Sequence, residues 1–172
     1  MEEVKLNQVY LSIGSNKGDR LNNIKNALEL LNHKIGSISK ISNVYENPPI
    51  GFESEMNFYN LCVELKTFYN PFDLLDRIKK VEKNIGRSKK TIGTQYSNRE
   101  IDIDIILYEN NIIETEILTI PHKLFRERNF VLKPLSEIAK NKIDPVTLFS
   151  IDSLYVSCMD ESELNKIVFK IV

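Results

Sequence analysis

The sequence predicts an α+β domain with the element order β-α-β-β-α-β, and three observations carry that prediction. Two stretches, residues 19–32 and 70–86, repeat apolar residues at helical spacing. Runs that alternate apolar and polar residues precede, separate and follow them. Cap and turn residues (Asp19, Asn70, Pro71, Gly86) stand at the junctions. Elements in this order form one antiparallel sheet with both helices on one face, the ferredoxin-like split βαβ arrangement.

The first strand is VYLSIGSN (9–16), with Val9, Leu11 and Ile13 inward and Gly14 at its end. The helix DRLNNIKNALELLN (19–32) aligns Leu21, Ile24, Leu28 and Leu31 on one stripe, and Asp19 is placed to cap it. Residues 37–46 predict one weaker strand running into NPPIG, where Pro48 and Pro49 stop any ladder. FYNLCVEL (58–65) predicts a strand with Tyr59, Leu61, Val63 and Leu65 on the core side. The second helix (70–86) starts with Asn70 as cap and Pro71 at its first position and ends at Gly86. Its expected stripe is Phe72, Leu75, Ile78, Val81 and Ile85. A polar loop (87–98) then leads into REIDIDIIL (99–107), whose core face is expected to be Ile101, Ile103, Ile105 and Leu107. Beyond it, NNIIETEILTIPH predicts an added hairpin and FVLKPLSEIA a short closing segment, so the fold carries a C-terminal hairpin and short helices. From residue 140 onward no pattern is strong enough to place. The sheet's second face is expected to be open, with Phe58, Asn60, Asp102 and Asp104 projecting from it.

The 172 residues make one domain, 1–172, with enough chain for a proper core. Hydrophobic residues at 42% and a net charge of -1 suit a globular protein and favour neither nucleic acid nor an anionic membrane. No run is long enough to span a bilayer, the acidic start MEEVKLNQVY is no signal peptide, and Cys62 and Cys158 fit no redox or metal spacing. The expected location is the cytoplasm.

Asp102 and Asp104 carry the chemistry. Residues two apart on a strand share a face, with Cα atoms on the order of 7 Å apart, so the two carboxylates repel unless a cation joins them. Mg²⁺ is often held by one or two carboxylates while phosphate oxygens and water complete its shell, and one such pair can serve two ions in a phosphoryl transfer. The plainer alternative is a solvated face whose aspartates pair with Lys or Arg. Basic residues gather around the strand: Arg87, Lys89, Lys90 and Arg99 before it, His122, Lys123, Arg126 and Arg128 after it. Arginine forks suit a metal-bound polyphosphate; singly, each of these is an ordinary surface cation. IGSNKGDR lacks the Lys-Ser/Thr ending of a P-loop and reads as a strand-to-helix turn.

Four segments in this order, SNVYENPPIGFESEMNFYN, EKNIGR, YSNREIDIDIILY and IPHKLFRERNFVLKPLSEIA, closely resemble the hydroxymethyl-dihydropterin pyrophosphokinases of folate biosynthesis. The resemblance runs from about Tyr10 to Ala139. It implies a monomeric ferredoxin-like enzyme that uses ATP and two Mg²⁺ ions. The enzyme would move the β,γ-pyrophosphoryl group onto the hydroxymethyl oxygen of 6-hydroxymethyl-7,8-dihydropterin and leave AMP.

Carried over by position, Asp102 and Asp104 would bind both ions. Asn60 would hydrogen-bond the pterin edge, Phe58 and Phe130 would line its slot, and the backbone of Asn47, Pro48, Pro49 and Ile50 would meet its remaining polar atoms. Arg87, Lys89, Arg99, His122 and Arg128 would lie near the ATP phosphates, ribose or closing loops, with Arg87 and Arg99 acting in catalysis. Ile105 would lie near adenine and Glu82 near the nucleotide site, unless Glu82 is a surface charge. Loops 46–56 and 87–98 would close over the substrates. Phe58 stands where a tyrosine is frequent, Tyr96 and Asn98 where tryptophan and proline are common, and Lys123 where an aromatic occurs.

Two other readings compete. A palm-like or cyclase-like nucleotidyl transferase shares the outline and the D-x-D but attacks the α-phosphorus. A ferredoxin-like binding module would have no chemistry at all.

Overall fold

β1 (Asn7–Ser15) buries Val9, Leu11 and Ile13 on one face through simple alternation. The structure is a computed structural model and describes residues 5–51, 53–86 and 98–168. Asp19 caps α1 (Arg20–Lys34) by accepting the Asn22 N–H, and Ile24, Ala27, Leu28 and Leu31 form its buried stripe. The expected strand at 37–46 is two strands, β2 (Ser37–Ile41) and β3 (Val44–Asn47). Ser42 makes the break tolerable. Its N–H donates to the Cys62 carbonyl at 2.9 Å, and its Oγ accepts the Cys62 N–H at 2.9 Å, so no ladder group is orphaned there.

β4 (Phe58–Thr67) pairs with both of these strands and with β1. α2 (Pro71–Ile85) has its cap at Asn70, which accepts the Phe72 and Asp73 N–H groups, and it stops at Gly86 with φ +115°. Its stripe differs from expectation. Leu74, Ile78 and Val81 are buried while Phe72 is 42% exposed, since Phe72 lies about 200° round the helix from Leu74.

β5 (Asp102–Tyr108) closes the ferredoxin-like order, giving the antiparallel sequence β5-β1-β4-β3, with β2 beside β3 on β4. A bulge opposite Tyr10/Leu11 inserts Ile106 and reverses the parity of β5. Leu107, expected beside Ile105, therefore packs on the opposite face, and Tyr108 joins the first core instead. The expected hairpin is present as β6 (Ile113–Glu114) and β7 (Thr119–Ile120).

The second face of the sheet is not open along its whole length. After a 3₁₀ turn (Phe125–Glu127), α3 (Asn129–Ala139) lays Val131, Leu132, Leu135 and Ile138 on Tyr10, Cys62, Ile106 and Leu107. α4 (Ile151–Val156) adds Ile151 and Leu154 to this second core. Pro134 inside α3 hid a helical repeat that is otherwise plain. The end of the face bearing Ser12, Gly14, Asn60, Asp102 and Asp104 borders a cavity instead. β8 (Asn165–Ile167) adds a last antiparallel strand to β3. Among the described residues, no helix is long and apolar enough to cross a membrane.

The turn before α3 is held from beyond the helix. Arg126 Nε and Nη2 meet the fully buried Asp144 carboxylate at 2.7 and 2.8 Å. Arg126→Ala leaves that carboxylate without its counter-ion and is expected to cost about 3 kcal/mol. A thermal melt with a fall of less than a few degrees would contradict this.

Candidate active site

Cross-strand register builds the floor of the site. Gly14 stands opposite Asp102 on one side and Asn60 on the other, and Ser12 likewise lies between Asp104 and Cys62. Two acids, a gap without a side chain and an amide thus share one uncovered end of the sheet. Gly14 is needed for that gap, because a Cβ there would lie 2.5 Å from Asn60 Oδ1. Asn60 is buried, and its Nδ2 donates to Asn47 Oδ1 at 2.6 Å, while Asn47 Nδ2 donates to the Pro48 carbonyl at 2.9 Å. The β3–β4 pairing therefore fixes the amide in place.

The two aspartates differ. Arg99 Nη1 donates to Asp102 Oδ2 at 2.7 Å. The Asp104 carboxylate accepts no hydrogen bond among the described residues, and burial, then the charges of Asp102 and Glu82, push its pKa up to about 7 against the pull of Arg128 and Arg99. Glu82 is not a surface charge. It is buried under β5, where its Oε1 accepts the Ile103 N–H at 2.8 Å. Three carboxylates thus crowd one strand.

A cavity of about 310 Å³ sits over this floor. Asn47, Ile50, Phe58, Asn60 and Phe130 line it, as do Arg99, Arg128 and both aspartates; Pro48 and Pro49 do not. A second cavity, about 280 Å³, lies between α2, β5 and the β6–β7 hairpin, and is lined by Ile105, His122, Lys123 and Leu118 among others. Asp104 lines both. His122 Nδ1 accepts the Leu124 N–H at 3.3 Å. Burial, and then Arg128, drive the imidazole down to about 4 despite Asp102, so it is neutral near pH 7. Its Nε2 is left as the donor.

The structure thus gathers Asn47, Ile50, Phe58, Asn60, Arg99, Asp102, Asp104, Ile105, His122, Arg128 and Phe130 into two adjoining pockets, leaves Pro48 and Pro49 out of both, and sets Glu82 beneath them. Arg87 and Lys89, and Tyr96 among the departures, lie outside the described residues. Sequence reasoning missed Gly14, Ser12, Leu124 and Glu127 in the first pocket and Leu75 and Thr119 in the second. A glycine closing a strand was the one available signal. Cys62, placed on the same outward face, is sealed under α3 with its Sγ against the Val131 carbonyl, and burial pushes its thiol pKa far up.

The fold places this sheet with solved HPPK-containing chains. Wild-type Plasmodium falciparum HPPK-DHPS, solved with SDX-DHP, aligns with a TM-score of 0.72 and 20% identity over 91% of this chain, which spans 45% of that longer chain. The model of the 7,8-dihydro-6-hydroxymethylpterin-pyrophosphokinase (HPPK) family matches residues 10–140. The 2-amino-4-hydroxy-6-hydroxymethyldihydropteridine pyrophosphokinase of Aquifex aeolicus is 45% identical over 138 residues, 80% of this chain and 84% of the relative. That of Bacillus subtilis is 40% identical over 135 residues, 78% and 79% of the two chains. The chain belongs to the HPPK family of enzymes.

Proposed function

We propose that this chain transfers the β,γ-pyrophosphoryl group of ATP to the hydroxymethyl oxygen of 6-hydroxymethyl-7,8-dihydropterin, leaving AMP, as a step of folate biosynthesis. Residues 1–172 act as one monomeric domain. One observation carries the reading: Asp104 borders both a slot walled by aromatic rings and amides and a second, more polar pocket. A transferase that joins two substrates needs that junction.

Asp102 and Asp104 fit Mg²⁺. One of them is an acid held in a crowd of like charge with no donor among the described residues, and there no third His, Cys, Asp or Glu completes a metal cage. A Mg²⁺ site commonly leaves its remaining positions to water and phosphate oxygens. Two bound ions would neutralise the polyphosphate and acidify the attacking hydroxyl.

The chain's own groups do the positioning. Asn60, with the backbone of Asn47 and Ile50, orients the pterin edge, and Phe58 and Phe130 hold its faces. Arg99 and Arg128 meet the transferred phosphates, joined by Arg87 and Lys89. Ile105 packs near adenine, and neutral His122 presents its Nε2–H toward the nucleotide. Glu82 acts from below, fixing the backbone between the two aspartates. No general base is assigned.

Incubation with ATP, Mg²⁺ and the pterin is expected to yield AMP equal to the pterin diphosphate, with no free pyrophosphate. Released pyrophosphate would favour the nucleotidyl transferase, and no turnover the binding module.

A further inference from the structure

Beyond residue 140, where the family match ends, the chain returns twice to the walls of the first pocket. Asp160 Oδ2 accepts the backbone N–H of Asn129 at 2.9 Å, and Asp160 Oδ1 accepts the Ser162 N–H at 3.0 Å. A few residues later, Asn165 pairs with Glu46 in the β8–β3 ladder. Asn129 lies between Arg128 and Phe130, and Glu46 precedes Asn47, and those three neighbours all line the pocket. The run 160–165 therefore ties one wall of the slot to the other.

α3 needs this attachment. A helix start leaves several N–H groups without partners inside the helix, and a Ser, Thr, Asp or Asn at the cap position usually supplies one. Here the cap position is Arg128, which makes no capping hydrogen bond and lines the pocket instead. The acceptor is delivered from 31 residues further along the chain.

We propose that Asp160 is a positioning residue for the pterin slot, capping α3 from outside so that Phe130 faces the pterin across from Asn47. The inference rests on reading that pocket as the pterin site. In the full chain, Asp160→Ala is expected to raise KM and Kd for 6-hydroxymethyl-7,8-dihydropterin at least ~10-fold while KM for ATP stays within about twofold. Asp160→Asn, with one acceptor oxygen left, falls between.

Asn129→Pro removes the same bond from the donor side. Proline is tolerated at a first helical position, and Arg128, at φ -117° and ψ 104°, already has the extended conformation required before it. This variant supplies the readout should Asp160→Ala fail to fold. Pterin constants unchanged in both variants, or pterin and ATP constants rising together with a falling Tm, overturn the positioning role alone. A wild-type chain that binds no pterin overturns the reading of the pocket and the positioning role together.

Discussion

Asp104→Asn is expected to lower kcat by at least ~10³-fold and, in the metal-free protein at pH 8, to raise Tm by roughly 4–8 °C. The first effect comes from losing a carboxylate at the junction of the two pockets. The second reflects the cost of that carboxylate when nothing neutralises it. Burial, Asp102 and Glu82 hold its pKa near 7 rather than the ordinary 3.8, so the folded state binds the proton more tightly than the unfolded chain.

An acid raised in this way destabilises the fold above its folded pKa. The cost shrinks as pH falls through 7 and is gone below about 4. At this partly exposed site it is taken as about 2 kcal/mol, well short of the full shift. Asparagine never ionises, so the two melting curves separate at pH 8 and converge near pH 4. Melts with a chelator, repeated with Mg²⁺ and ATP, check both parts. Turnover near wild type, or a variant less stable than wild type at pH 8, would remove the acidic pair from the centre of the mechanism.

Gly14→Ala is expected to weaken pterin binding about 100-fold, equivalent to two good buried hydrogen bonds, with ATP affinity nearly unchanged. The new Cβ would stand 2.5 Å from Asn60 Oδ1. The amide has little room to withdraw, being buried and already bonded to Asn47. Either it turns away from the slot, or β1 and β4 move apart at the pocket floor. Calorimetric titration of the pterin in the presence of a non-hydrolysable ATP analogue reads the result. Wild-type pterin affinity in this variant would show that the amide takes no part in recognition.

Much of this was legible in the chain. Apolar spacing located both long helices and most of the sheet, because amphipathic patterns and caps are local: Asp19, Asn70 and Gly86 act where they stand. The pairing of Asp102 and Asp104 on one face needed only the period of a strand. The family resemblance extended the reading to Asn60, Phe58, Phe130, Arg128 and His122, all of which the fold brings to one of two adjoining pockets. Period counting failed at Ile106, where a bulge reversed the face of Leu107. No local window reports how two strands are registered.

By itself, then, the sequence determined the β-α-β-β-α-β order up to β5, apart from the split of 37–46 into two strands, the core faces of β1 and β4 and of β5 up to that bulge, and the choice of acids, amides and rings available for chemistry. Tertiary structure alone decided which part of the second face stays uncovered, since that depends on where α3 lands on the sheet. It also decided that Glu82 is buried beside Asp104 and that Gly14 lies between an acid and an amide. The physical reason is the same throughout: burial, electrostatic crowding and pocket shape arise between residues far apart in the chain, and their strength depends on distances that only packing sets.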